Sequence, residues 1–186
     1  LHSGLRQVLV LTQCKSHSLH THLRDGWSTF NPELREFITP VPPQMRESQE
    51  WYAGPFDAIR QNRYLMERSR ARQILVLDGG AVYRMDYAEL VRAHAESKAQ
   101  ITVAVRAVNG RGSGTQPRVE LAEGERVVGF RPPAPVENSV GGSSADEAER
   151  LETMGVYVFD RRFLLEEMTR LDQLRRDLGG GVVDTD

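Results

Sequence analysis

A chain of 186 residues, 39% hydrophobic and 27% charged, has the material for one globular domain with an ordinary core. Its net charge of -2, with arginines interleaved among acids, argues against nucleic acid or an anionic membrane as a partner. No apolar run approaches the roughly 20 residues that span a bilayer, and the single cysteine, Cys14, rules out an internal disulfide.

Leu1-His2-Ser3-Gly4 does not resemble a signal peptide, so a cytoplasmic setting is expected. A start on Leu and an end in a Gly/Val/Asp stretch read as an excerpt of a longer protein. Along the chain, Gln7 to Thr12 is a continuous β-branched run of the kind that forms a buried strand. Ser16 is placed to cap a helix that buries Leu19 and Leu23. Glu36 to Val41 predicts a short strand stopped by the Pro40/Pro42/Pro43 cluster. From Asp57 a helix puts Ala58, Ile59, Asn62, Leu65 and Met66 on one face. Gln73 to Leu77 is a second strong strand, running into Gly79-Gly80. Asp86 and Glu89 have the spacing of a capping box, opening a helix that buries Leu90 and Val91. Ile101 to Val108 is a third strand.

Beyond it, Val119 to Leu121 and Val127 to Phe130 read as a hairpin turned at Glu123-Gly124. Residues 131–144 are rich in Pro, Gly and Ser and predict a loop. Gly155 to Phe159 is one more strand, and Asp160 caps a last helix carrying Phe163, Leu164, Met168 and Leu171. The alternation predicts a doubly wound α/β domain with a mostly parallel sheet and right-handed crossovers. Ligands of such sheets sit at the carboxyl ends of strands, which points to the loops after Thr12, after Leu77 and around Gln116.

Several stretches together resemble one family, the glucose-1-phosphate adenylyltransferases (ADP-glucose pyrophosphorylases). Ser3-Gly4-Leu5-Arg6, with Leu11-Thr12-Gln13-Cys14-Lys15-Ser16-His17-Ser18-Leu19, is similar to the family's SGI and LTQYKSHSL. Pro42-Pro43-Gln44-Met45-Arg46 resembles its PAQQR. Trp51 to Ala58 and Gln61-Asn62 resemble WYRGTADAV and QN. Val82 to Asp86 resembles the segment after LAGDH, and Thr153 to Phe159 resembles SMGIYVF. The order and spacing hold over nearly the whole chain.

The resemblance implies a sugar nucleotidyltransferase, Rossmann-like fold over residues 1–186, lacking its first βα unit and the family's C-terminal β-helix. It implies a reaction of ATP with glucose 1-phosphate to give ADP-glucose and pyrophosphate, in glycogen or starch synthesis. Such chemistry needs a Gly-rich phosphate loop, carboxylates that hold Mg²⁺, and a lysine on the sugar phosphate. The family's loop precedes the SGI segment and so falls before residue 1. Gly80 stands at the metal-binding Asp of LAGDH, and Gly181 at the second metal Asp. Pro55 and Phe56 replace residues of the nucleotide-contacting GTADA, Pro117 replaces a sugar-contacting Gly, and Arg131-Pro132-Pro133 replaces EKP.

Tyr52, Gly54, Asp57, Gly79, Met154 and Gly155 match the family, and Thr153 keeps the hydroxyl of a sugar-binding Ser. These seven are the expected substrate-binding remnant, with no catalytic residue, no metal ligand and no cofactor in this chain. Tyr52 admits two readings, a sugar contact or a packed ring. Asp78 is a candidate substitute metal ligand, because i and i+2 share a face of a strand, although the bend at Gly79-Gly80 disturbs that alignment. His17 and His20 share a helix face while His22 points away, so an exposed helix is expected rather than a metal site. Asp184 and Asp186 are expected to fray, and Cys14 to be inert.

Two functional readings follow from these losses. One is an adenylyltransferase-like protein that is catalytically impaired. The other is a non-catalytic regulatory or assembly homologue, homo- or hetero-oligomeric, that binds sugar phosphate weakly or not at all.

Overall fold

The apolar runs form strands and the amphipathic stretches between them form helices, in an α/β arrangement. The computed structural model describes residues 3–13, 16–27, 31–34, 36–43, 52–108, 116–133 and 150–177. Two compact units divide the chain, Leu1–Ile74 with Met85–Arg92 and Asp160–Asp186, and Leu75–Arg84 with Ala93–Phe159.

In the first unit, strand β1 (Gln7–Leu11) pairs in parallel with β2 (Phe37–Val41), from Gln7 opposite Phe37 to Leu11 opposite Val41. The crossover that parallel strands require is supplied by helix α1 (His17–Gly26) and a 3-10 turn at Pro32–Leu34. Pro40 lies inside β2 rather than ending it. A two-stranded ladder leaves one side of β2 unpaired, and there a missing N–H costs little. Ser16 occupies the N-cap of α1 and accepts the His20 N–H through its carbonyl at 2.9 Å, but its side chain makes no capping bond. Contrary to expectation α1 buries nothing: Leu19 is 40% exposed and Leu23 half-buried. The helix packs against β2 of a two-stranded sheet, too narrow to cover a whole apolar stripe.

The single helix expected from Asp57 is two helices, α2 (Pro55–Gln61) and α3 (Arg63–Arg68). Pro55 starts α2, a position where its missing N–H has no intrahelical partner to lose. Asn62 divides the pair at φ -104°, ψ 18°. Its Nδ2 donates to the Ala58 carbonyl at 2.8 Å and to the Tyr52 hydroxyl at 2.9 Å, the side-chain competition that unsettles helix interiors. Ala58, Asn62 and Met66 of the expected face are buried, while Ile59 and Leu65 are half-buried.

Helix α4 (Tyr87–Ser97) opens on Asp86 as expected, its carboxylate accepting the Ala88 N–H at 2.9 Å, while Glu89, the other half of the expected capping box, lies 3.8 Å from Arg92. Its buried residue is His94, bonded through Nδ1 to the Thr102 hydroxyl at 2.8 Å, while Leu90 and Val91 are only half-buried. Helix α5 (Arg161–Asp177) is capped as expected by Asp160, which accepts the Phe163 N–H at 3.0 Å. It buries Leu164 and Met168 and packs against α3.

Strand β3 (Gln73–Leu77) leads into the second unit, which holds β4 (Ile101–Val108), β5 (Arg118–Leu121), β6 (Val127–Arg131) and β7 (Arg150–Asp160). The order is β3-β7-β5-β6, with β4 also on β7. The predicted hairpin is β5 and β6, and its turn contains Gly124 at φ 71°. The α/β fold is the one anticipated, but the pairing is more mixed than a mostly parallel sheet: β4–β7, β5–β6 and β5–β7 are antiparallel. Strand β7 has 11 residues because β4 bonds it from Phe159 back to Arg150, through the polar stretch that hid its first half. Val156 and Val158, fully buried, with Ala104 form its core against β4.

Candidate functional site

In the second unit the end of β3 meets a bulge in β7. The β4–β7 register passes from Ala104 opposite Val156 to Val105 opposite Thr153, so Met154 and Gly155 have no partners. Such bulges bend a strand and often sit beside functional positions. Gly155 takes φ +69°, a conformation that side chains disfavour. Its carbonyl accepts the Asp78 N–H at 2.8 Å, and a Cβ added to it would lie 2.6 Å from the Cβ of Asp78. Glycine is therefore required there on both conformational and steric grounds.

Thr153 secures the other side of the bulge. Its hydroxyl accepts the Gly155 N–H at 3.1 Å and donates to the Tyr157 hydroxyl at 3.1 Å, and its N–H donates to the Pro117 carbonyl at 3.0 Å. The residue is fully buried, and Met154 beside it is half-buried. Asp78 in turn accepts the Gly80 N–H through Oδ1 at 2.9 Å, closing the turn on itself. Gly79 and Gly80 are exposed.

In the first unit the remaining candidates gather at the start of α2. Tyr52 is buried; its carbonyl accepts from Gln13 Nε2 at 3.3 Å and its hydroxyl accepts from Asn62. Of the two readings of this ring, the packed one describes its surroundings. Gly54 occupies the N-cap in an extended conformation open to any residue, and its carbonyl accepts the Ala58 N–H. Asp57 reaches back to the Ala53 N–H at 3.1 Å and accepts from Gln61 Nε2 and Arg60 Nη2, each at 2.8 Å. Arg60 also lies 3.6 Å from Asp172 of α5. Burial acts to push the Asp57 carboxyl up, but bonds from Arg60, the Ala53 N–H and Gln61, with the Arg60 charge, outweigh it and hold the group low. Gln61 and Asn62 entered the sequence reading as a motif without a role; two adjacent amides at a helix end were the available signal.

The resemblance implies Mg²⁺ held by carboxylates and substrate phosphates, and Asp78 is the carboxylate beside the first expected metal position. Asp78 spends Oδ1 on the Gly80 N–H, and among the described residues no three His, Cys, Asp or Glu converge. His17 and His22 are exposed, and a ring nitrogen of His20 lies 3.1 Å from the Thr12 hydroxyl. Arg131 belongs to β6 rather than to a loop, and its guanidinium pairs with Glu120 across the hairpin. Cys14, Trp51, residues 134–144, Gly181, Asp184 and Asp186 lie outside the described residues.

Comparison with known proteins places these features. A family profile described as nucleotidyl transferase matches residues 1–179. The chain is 44% identical over 188 positions to glucose-1-phosphate adenylyltransferase 2 of Vibrio parahaemolyticus, covering 98% of this chain and 45% of that protein. It is 46% identical over 170 positions to the protein of the same name from Vibrio vulnificus, covering 90% and 41%. A glucose-1-phosphate adenylyltransferase of Shewanella amazonensis is 39% identical, covering 95% and 40%. The chain thus spans under half the length of these relatives.

Two substitutions probe the geometry. Gly155→Ala must either move Asp78 or leave positive φ, and is expected to cost about 2–4 kcal/mol, read as a lower denaturation midpoint. Replacing Gly79, which has no neighbour within 4 Å of a built Cβ, by Ala should cost under about 1 kcal/mol.

The Asp57 carboxyl, held below its ordinary 3.8, stabilises the fold fully above that value, and the contribution is lost as pH falls through the lower folded-state value. Asp57→Asn is expected to lose about 1–3 kcal/mol at pH 7. Denaturant titrations should find the gap from wild type narrowing below about pH 4. A gap independent of pH would show that ionisation is irrelevant there.

Proposed function

The chain belongs to the nucleotidyl transferase family, and from that membership we propose a glucose-1-phosphate adenylyltransferase-like protein of ADP-glucose synthesis whose own catalysis is impaired. The relatives' name supplies the reaction class, a transfer of an adenylyl group onto glucose 1-phosphate. The observation that carries the impairment is the turn at the end of β3. Gly80 stands where the resemblance requires a metal-binding carboxylate, and the nearby Asp78 accepts the Gly80 N–H through Oδ1. Gly181 at the second metal position, and Pro132-Pro133 where a lysine is required, support the same reading.

The second reading, a regulatory or assembly homologue, draws support from two hydroxyls. Those of Tyr52 and Thr153, the expected sugar contacts, are both engaged in internal hydrogen bonds of buried residues. A ligand taking a hydrogen bond from the Thr153 hydroxyl would have to displace its bond to Tyr157.

Purified protein with ATP, Mg²⁺ and glucose 1-phosphate is expected to release no pyrophosphate above a no-enzyme control, with the Vibrio parahaemolyticus relative as positive control. Sustained Mg²⁺-dependent release would overturn the impairment. Calorimetric titration of glucose 1-phosphate then separates the two readings. With the sugar-phosphate lysine lost, binding one to two orders of magnitude weaker than the relative's, and equal in Mg²⁺ and in EDTA, is expected. Binding as tight as the relative's would favour a retained substrate site.

A further inference from the structure

The chain contains two Asp-Gly pairs, Asp25-Gly26 and Asp78-Gly79, and the fold treats them oppositely. Such a pair can close on itself, because glycine has no Cβ to hinder the approach of its nitrogen to the aspartate carboxyl carbon. A C–N bond forms to Cγ, the carboxyl oxygen leaves as water, and a succinimide ring results. Water then opens either carbonyl of the ring. One product is the original aspartate; the other is an isoaspartate, whose main chain runs through Cβ and Cγ. The step needs a glycine nitrogen that no acceptor holds and a backbone free to turn.

Asp25-Gly26 has neither. Gly26 is the last residue of α1, whose hydrogen-bond ladder engages its N–H, and Asp25 Oδ1 accepts from Arg24 Nε at 2.8 Å. Asp78-Gly79 has both. Oδ1 of Asp78 accepts the Gly80 N–H at 2.9 Å, which folds the carboxyl over the Asp78–Gly79 peptide bond. Among the described residues no acceptor takes the Gly79 N–H. The turn that must rotate, Gly79 to Val82, is exposed throughout. A Cβ built on Gly79 meets nothing within 4 Å, so the turn has room to move.

We propose that Asp78-Gly79 is a site of spontaneous isoaspartate formation, and that helix α1 protects Asp25-Gly26 from the same reaction. The product has a consequence at Asp78 that it would lack in a free loop. The Cβ of Asp78, from which a Cβ on Gly155 would lie 2.6 Å away, becomes a main-chain atom. The chain then leaves β3 in a new direction, and the close approach to the β7 bulge must readjust. None of this depends on whether the chain transfers an adenylyl group.

The test incubates the folded protein at pH 7 in EDTA, digests it, and locates isoaspartate by electron-transfer fragmentation, which cleaves the Cα–Cβ bond that only the isomer carries in its main chain. Isoaspartate is expected to accumulate at Asp78 about tenfold faster than at Asp25. In urea, where neither turn nor helix remains, the two rates should converge. Gly79→Ala should slow the reaction at Asp78 and leave Asp25 as it was. Equal rates in the folded protein, a difference that persists in urea, or an undiminished rate in Gly79→Ala overturns the proposal. The denaturation midpoint is expected to fall as isoaspartate accumulates, and a midpoint that stays with the fresh protein's refutes the link to the β7 bulge.

Discussion

The second unit depends on the close approach of Gly155 to Asp78. The backbone of β3 ends against the bulge of β7, with the Asp78 N–H on the Gly155 carbonyl at 2.8 Å and no space for a side chain between them. Strand β7 is bonded to β3, β4 and β5, so a disturbance at its bulge reaches most of the sheet. The bulge is itself held by the hydroxyl of a fully buried threonine, which satisfies the Gly155 N–H that the ladder leaves free. A motif that reads in sequence as a sugar-contacting string is, in structure, first a device for bending the longest strand.

Much of this fold was legible in the sequence where a single local rule decided it. Ile101 to Val108 is a strand by its five β-branched residues in eight, the β5–β6 hairpin follows from Glu123-Gly124, and Asp160 caps α5 through its carboxylate. Where the structure departs from these rules, a distant partner mostly decides. The helix break at Asn62 depends on the Tyr52 hydroxyl ten residues away, and the first half of β7 on pairing with β4 across more than 40 residues. The mixed strand pairing has the same origin, because apolar runs reveal burial but not direction. Leu19 was misread because periodicity marks an apolar stripe whether or not a layer covers it.

The candidate site was legible as a set of names and illegible as a set of roles. Tyr52, Asp57 and Thr153 are where the resemblance put them, yet each spends its polar atoms internally. Asp57 alone receives bonds from the Ala53 N–H, Arg60 and Gln61, which makes it an organiser of the start of α2. The lowering of its pKa has the same origin, since every one of those donors favours the ionised form over burial's preference for the neutral one. Retention of such a residue therefore says as much about folding as about substrate.

The substitutions divide along the same line. Gly80 gives its N–H to Asp78, Pro117 gives its carbonyl to Thr153, and Pro55 opens a helix at a position where its N–H is dispensable. At each place the fold uses a backbone group rather than the side chain. The matching residues behave oppositely. Gly155 cannot carry a side chain, and Thr153 and Asp57 are bonded through theirs. Positions that the fold holds through backbone groups leave their side chains open to change, whereas positions held through side chains, such as Thr153 and Asp57, do not.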